Sequence, residues 1–319
     1  MTEIFRNREQ FLEEEPEIDV KQFRKTRLDL PYADQSVNQI LDIFYPDEGE
    51  GPFPLVMLFH GGAFVTGHKR SHYIKSMCLP VTQGYAVATI EYRLCQEAKW
   101  PAQLIDGKAA VRYLRRHAKE LDLDPERFAV WGNSAGGLAT QLIAVTGDRA
   151  DCDDLTVGER ASSEIQCAIA WYTMSELCSA EQFGTEFTEL LGYHPVLYPE
   201  RTCRVSPIRY VDEHCPPMLL QHGMDDAVVD YHQSVYMYEK IKEVCGEDRA
   251  VLDLFEGEPH GSPKMKSDEN IKKCIDFWIN ISLKAVIRTG NHSAGFLLQE
   301  KMTQKNRSRK ERKWQQQFQ

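Results

Sequence analysis

No run of about 18 apolar residues occurs in these 319 residues, so no segment is expected to cross a membrane as a helix. The stretch from Met1 to Glu15 carries charges throughout and has no apolar centre, so no secretory signal is expected there. No two cysteines stand in Cys-x-x-Cys spacing, and neither a zinc site nor any other metal or organic cofactor is expected. The nine cysteines, an odd number without close pairs, read as reduced thiols of a cytoplasmic protein rather than a disulfide framework. Positive charge is also short: 38 Lys and Arg stand against 48 Asp and Glu, a net charge of -10, which argues against nucleic acid as the main partner. With 42% hydrophobic and 27% charged residues, the chain has the composition of a globular protein of one large domain or two small ones.

The stretch from Phe128 to Leu142 organises the rest. Phe128 to Trp131 reads as a buried strand, and Ala135 to Val145, rich in alanine and leucine, reads as a helix. Between them lies Gly132-Asn133-Ser134-Ala135-Gly136. A Gly-x-Ser-x-Gly pattern alone arises by chance in roughly one chain in ten of this length. The strand before it and the helix after it make it a nucleophile elbow, with glycines giving room on either side of a sharply turning Ser134.

Further strands are expected at Gln39–Tyr45, Leu55–Phe59, Tyr85–Ile90, Cys167–Tyr172, Met218–Gln221 and Val251–Phe255. Helices are expected from Pro101 to about Lys119, from Tyr231 to Val244 and from Asn270 to Ile287. This alternation implies an α/β fold with a mostly parallel sheet, covered on both faces by helices. Cys167, in an apolar run, reads as a core residue. Residues 175–210 break the alternation and read as a small helical cap insertion over the strand ends. Residues 1–30 read as a polar segment with a possible amphipathic helix. From about Thr289 the chain is a basic, glutamine-rich polar tail, solvated or in contact with an anionic partner. The main domain is expected over residues 31–288.

His60, Ser134, Asp226 and His260 each follow an expected strand, on the sheet edge where such folds bind ligands. A serine nucleophile needs a histidine base, and His260, in the loop after the last strand, is the candidate. His222 and His60 read as packing and loop-shaping residues. The carboxylate that holds the base is Asp226 or Asp225, which chemistry alone does not separate. Gly62, Ala63 and Ala135 can offer backbone N–H groups to a developing oxyanion.

The motifs HGGAF, EYRL, WPAQLIDGKAAVRYLRRHA, VWGNSAGG, SPIRYV, LLQHGMDDAVV and EPHG, in this order, resemble the α/β-hydrolase superfamily. The resemblance is to hormone-sensitive-lipase-like esterases, and within them to the group of bifunctional feruloyl and acetyl xylan esterases. It covers roughly residues 35–285. It implies an α/β-hydrolase fold and a serine carboxylesterase acting through an acyl-enzyme on short, acetyl-type esters, with carbohydrate and feruloyl esters as candidate substrates. It also implies Asp226 rather than Asp225 as the acid, beside Ser134 and His260. Phe64 stands where the family often has Trp, Asn133 where Ser or Asp is frequent, and Asp230 where Pro is common; acyl and alcohol preference are what these departures bear on. Phe64, Trp171 and Tyr172 are the expected substrate contacts, and a homodimer is one expected assembly. Two rival readings are a peptidase on the same fold and a catalytically silent binding protein.

Overall fold

Strands that read as continuous apolar runs become the inner strands of one eight-stranded sheet, as burial on both faces requires. The computed structural model describes residues 17–178 and 185–288. The strands are β1 (Lys25–Pro31), β2 (Ile40–Tyr45), β3 (Phe53–Phe59), β4 (Ala86–Ile90), β5 (Leu123–Asn133), β6 (Cys167–Trp171), β7 (Met218–Gly223) and β8 (Ala250–Phe255). Their spatial order is β1-β2-β4-β3-β5-β6-β7-β8. β1 and β2 pair antiparallel, as do β2 and β4, and every other pairing is parallel. All residues of β3, β4, β6 and β7 are buried, Cys167 among them.

The order of the strands locates the site. The chain passes from β3 to β4 in one direction across the sheet, then returns over β3 to β5 in the other. With right-handed crossovers these connections lie on opposite faces. The helical turns His72–Ile74 and Ser76–Gln83 take one face, and α1 (Ala102–Arg116) and α2 (Ala135–Thr146) take the other. The reversal falls between β3 and β5, so the carboxyl ends of these two strands frame a crevice.

β1 is a correction. All but its last residue lies within the first 30 residues, expected from the sequence to be a polar segment outside the domain with a possible helix, yet it joins the sheet as an edge strand. Most of its residues are exposed, so no apolar alternation marks it in the sequence. It is fastened by charge: Arg70 donates to Asp29 of β1 (3.0 Å) and to buried Asp42 of β2 (2.6 Å), and Lys69 donates to the same two carboxylates. The expected N-terminal features before residue 17 and the basic tail from residue 289 lie outside the described residues.

Between β6 and β7 the insertion carries α3 (Thr185–Leu191) and α4 (Pro199–Cys203), with short turns at Pro195–Leu197 and Pro207–Tyr210. It is tied to the loop after β4, where the Trp100 N–H donates to the Leu190 carbonyl at 2.9 Å. The expectation of nine reduced thiols also needs correcting: Cys178 and Cys203 are joined as a disulfide, while the other seven cysteines are unbonded. Their 25-residue separation gives no pairing signal, and only the folding of the insertion brings them together. After β7 come α5 (His232–Cys245), β8 and α6 (Asp268–Arg288). Residues to Cys274 form one compact unit and those from Ile275 another, of which the described part is helical to Arg288. Among the described residues no helix is long and apolar enough to cross a membrane.

Candidate active site

A single residue separates β5 from α2. Ser134 has φ 51° and ψ -121°, a conformation that costs a residue with a side chain roughly 1–3 kcal/mol. Three hydrogen bonds hold it there. Its N–H donates to the Trp171 carbonyl (3.0 Å), and its carbonyl accepts from the Leu138 N–H (3.1 Å) and from Thr173 Oγ1 (2.6 Å). The turn closes because its flanks lack side chains. A Cβ on Gly132 would lie 2.2 Å from the Gly136 carbonyl oxygen, and one on Gly136 only 2.1 Å from that of Phe59. From Phe128 to Thr146 every residue is buried except Ser134.

The structure brings two other expected residues to this hydroxyl. His260 Nε2 lies 3.1 Å from Ser134 Oγ, and His260 Nδ1 lies 2.7 Å from Asp226 Oδ2. His260 sits in the loop after β8, which closes tightly onto the end of β7. A Cβ on Gly223 would lie 2.1 Å from the Glu258 carbonyl oxygen, the acceptor at 3.1 Å of the Asp225 N–H. The Asp226 side chain is fully buried, and its Oδ1 accepts from the Val228 and Val229 N–H groups, both at 2.8 Å. Burial pushes its acidity down in strength, but hydrogen bonds from His222, His260 and Val229 outweigh that and hold the carboxyl well below the usual carboxylate range. Asp225 and Asp230 are exposed on the same loop.

The loop after β3 packs against the elbow: a Cβ at Gly61 would sit 3.3 Å from Ser134 Cβ. Gly62, Ala63 and Phe64 have φ values of 112°, 55° and 59°, a succession that turns neighbouring N–H groups to one side. The Gly62 carbonyl closes the turn by accepting from Val65 and Thr66. The third N–H expected to serve an oxyanion, that of Ala135, opens α2, where the helix dipole favours negative charge.

The three expected substrate aromatics are placed otherwise. Trp171 is fully buried in β6, edge-on to Trp131 with centroids 5.0 Å apart. Phe64 is buried between Tyr92 and Trp100. Neither offers a surface to substrate, because both lie in contacts that make the sheet and its loops cohere. Tyr172 is buried as well, its hydroxyl accepting from Asn133 Nδ2 (2.8 Å) and its ring edge-on to His260 at 4.7 Å. It supports the base rather than lining an open pocket.

His60 is fully buried under the same loop, stacked on Tyr92, with Nδ1 donating to the Gly61 carbonyl at 2.8 Å. Its Nε2, left as an acceptor, stands 4.0 Å from Glu91 Oε1. Burial pushes His60 down to about 4, against the Gly61 carbonyl, and pushes Glu91 up to about 7, against the Lys69 N–H it accepts. His60, depressed in the fold, contributes stability that is present above its unfolded value of 6.5 and lost as pH falls toward 4. Glu91, raised from 4.5, contributes stability that is present at low pH and lost as pH rises toward 7. Across the shared window the folded pair is acid plus neutral imidazole and the unfolded pair is carboxylate plus imidazolium. The proton counts match, and the two slopes cancel. Glu91→Gln removes one slope and exposes the other. Urea titrations should show the variant losing about 2 kcal/mol more than the parent between pH 6.5 and 4.5; parallel curves would contradict this.

Residues 41–241, well over half the chain, match the BD-FAE family. The probable carboxylic ester hydrolase LipM of Mycobacterium tuberculosis is 27% identical over 244 residues, 71% of this chain and 54% of LipM. The acetyl ester-xyloside bifunctional hydrolase from Caldicellulosiruptor lactoaceticus is 27% identical in structural alignment, with a TM-score of 0.63 over 76% of this chain and 89% of the other. A truncated carbohydrate esterase from gut microbiota superposes with a TM-score of 0.73 over 84% of this chain and 99% of its own; at 24% identity it speaks for the fold, the α/β-hydrolase architecture that the motifs imply. The chain spans about half the length of the curated relatives it matches.

Proposed function

The chain belongs to the BD-FAE family, and on that footing we propose that it is a serine carboxylesterase cleaving short, acetyl-type esters. The observation that carries this reading is the line Ser134–His260–Asp226, anchored on the one residue of a buried strand–turn–helix that reaches solvent. In the proposed mechanism His260 accepts the Ser134 proton through Nε2 as Oγ attacks the ester carbonyl. Asp226 keeps Nδ1 protonated and balances the charge His260 gains. The N–H groups of Gly62, Ala63 and Ala135 receive the oxyanion, each typically worth a few kcal/mol of barrier. His260 then protonates the leaving alcohol and activates water against the acyl-enzyme.

Carbohydrate esters are the candidate substrates in this reading, with feruloyl as an alternative acyl group, and the name of the acetyl ester-xyloside bifunctional hydrolase supports the carbohydrate alcohol. The domain runs to α6 with the insertion as its cap. A cytoplasmic location, drawn from the seven unbonded thiols, and a homodimer belong to the same reading.

The test is hydrolysis of p-nitrophenyl esters from acetate to decanoate, beside the matching anilide. Acetate and butyrate should turn over at least about tenfold faster than decanoate, as a short acyl pocket dictates, with negligible anilide cleavage. Anilide cleavage at ester-like rates would favour a peptidase. No turnover by folded protein would favour a silent binding protein.

A further inference from the structure

His222, expected from the sequence to pack, is fully buried at the end of β7, but its ring is not idle. Nε2 lies 3.0 Å from the Val229 carbonyl and 3.2 Å from Asp226 Oδ2. Both neighbours are acceptors, so Nε2 must carry a proton. On the other side Nδ1 lies 2.7 Å from the hydroxyl of Ser234, a fully buried residue in the first turn of α5. That hydroxyl can donate to a bare Nδ1 and so fix the tautomer. The same oxygen of Asp226 therefore meets two imidazoles, His260 from the loop after β8 and His222 from beneath. Its other oxygen is held by the Val228 and Val229 N–H groups.

We infer that His222 is a positioning residue for this reaction: its Nε2–H, set by Ser234, fixes Asp226 Oδ2 at the point where it orients His260. The inference rests on the proposed roles of Ser134, His260 and Asp226. A chain of hydrogen bonds thus runs from α5 through β7 to the elbow, Ser234–His222–Asp226–His260–Ser134. With two donors on each oxygen of one carboxylate, only the 180° flip that exchanges its equivalent oxygens preserves the full set, so the carboxylate plane has one seated orientation. Without His222 the backbone donors remain, but Oδ2 is held only by the ring it is meant to orient.

Two measurements test this. In protein labelled with 15N-histidine, His222 should show a protonated Nε2 and an unprotonated Nδ1; the reverse tautomer overturns the inference, and this readout does not depend on activity. In the second, kcat and KM for p-nitrophenyl acetate are followed against pH. His222→Phe, which keeps a ring but loses the donor, should lower kcat about 10- to 100-fold with KM little changed, the scale of a misplaced catalytic group. Its acidic limb should move to higher pH by about half a unit or more, because Oδ2 then carries more charge toward His260. His222→Gln, which can place an amide N–H at the same reach, should recover most of the rate. Ser234→Ala should fall between the parent and His222→Phe. A His222→Phe enzyme that is merely less stable, with kcat and the pH profile in place, would reduce His222 to packing. Activity surviving in Ser134→Ala would instead break the underlying reading and leave the tautomer result standing on its own.

Discussion

Ser134→Ala should lower kcat for a short ester by about five to six orders of magnitude, the loss seen when a serine nucleophile is removed from an intact site. The substitution deletes one oxygen. Alanine accepts the same backbone strain as serine, since each carries a Cβ, and the hydrogen bonds that hold residue 134 come from its main chain and from Thr173 and Trp171. Thermal unfolding should therefore stay close to that of the parent, and substrate should still bind. Stopped assays at high enzyme concentration would measure the residue of activity. A variant within tenfold of the parent would mean that another group attacks the ester.

Asp226→Asn should cost about four orders of magnitude in kcat by a different route. The amide oxygen would keep the two backbone donors from Val228 and Val229, which confines its NH2 to the place of Oδ2. That NH2 would then point at His260 Nδ1, 2.7 Å from the present oxygen, and at His222 Nε2. Two donors cannot share that space, so His260 would change tautomer and present a protonated Nε2 to Ser134. It could no longer accept the Ser134 proton. The variant should also be less stable, because His222 would lose an acceptor inside the protein. Rates near neutral pH and at high pH separate the two effects: hydroxide can assist a wrong tautomer but does not repair a fold. A fall of less than tenfold would argue that Asp226 is not the group that orients the base.

The elbow was legible because it is local. Glycine on both sides of Ser134, a strand before and a helix after are all contained in fewer than twenty consecutive residues, and the close approaches at Gly132 and Gly136 give the pattern its physical cause. The inner strands were legible because two buried faces demand continuous apolar runs. β1 was not, since its exposed edge is held by Lys69 and Arg70, forty residues away. The residues alone left Asp225 and Asp226 as equals; in the fold one is exposed and the other is buried against His260. Phe64, Trp171 and Tyr172 carried the right chemistry for a pocket but are spent on packing, which aromatic identity alone does not disclose. His222 was visible as a strand-end histidine, but its contact with Asp226 depends on the turn between them.

The most direct test of the central claim, that Ser134 is the nucleophile, is covalent. The protein would be treated with a fluorophosphonate, a reagent that phosphonylates activated serines, then weighed intact and mapped by peptide mass spectrometry. One adduct per chain is expected, on Ser134, absent from Ser134→Ala and much slower to form in Asp226→Asn. An adduct on a different serine, or none on folded protein, would contradict it.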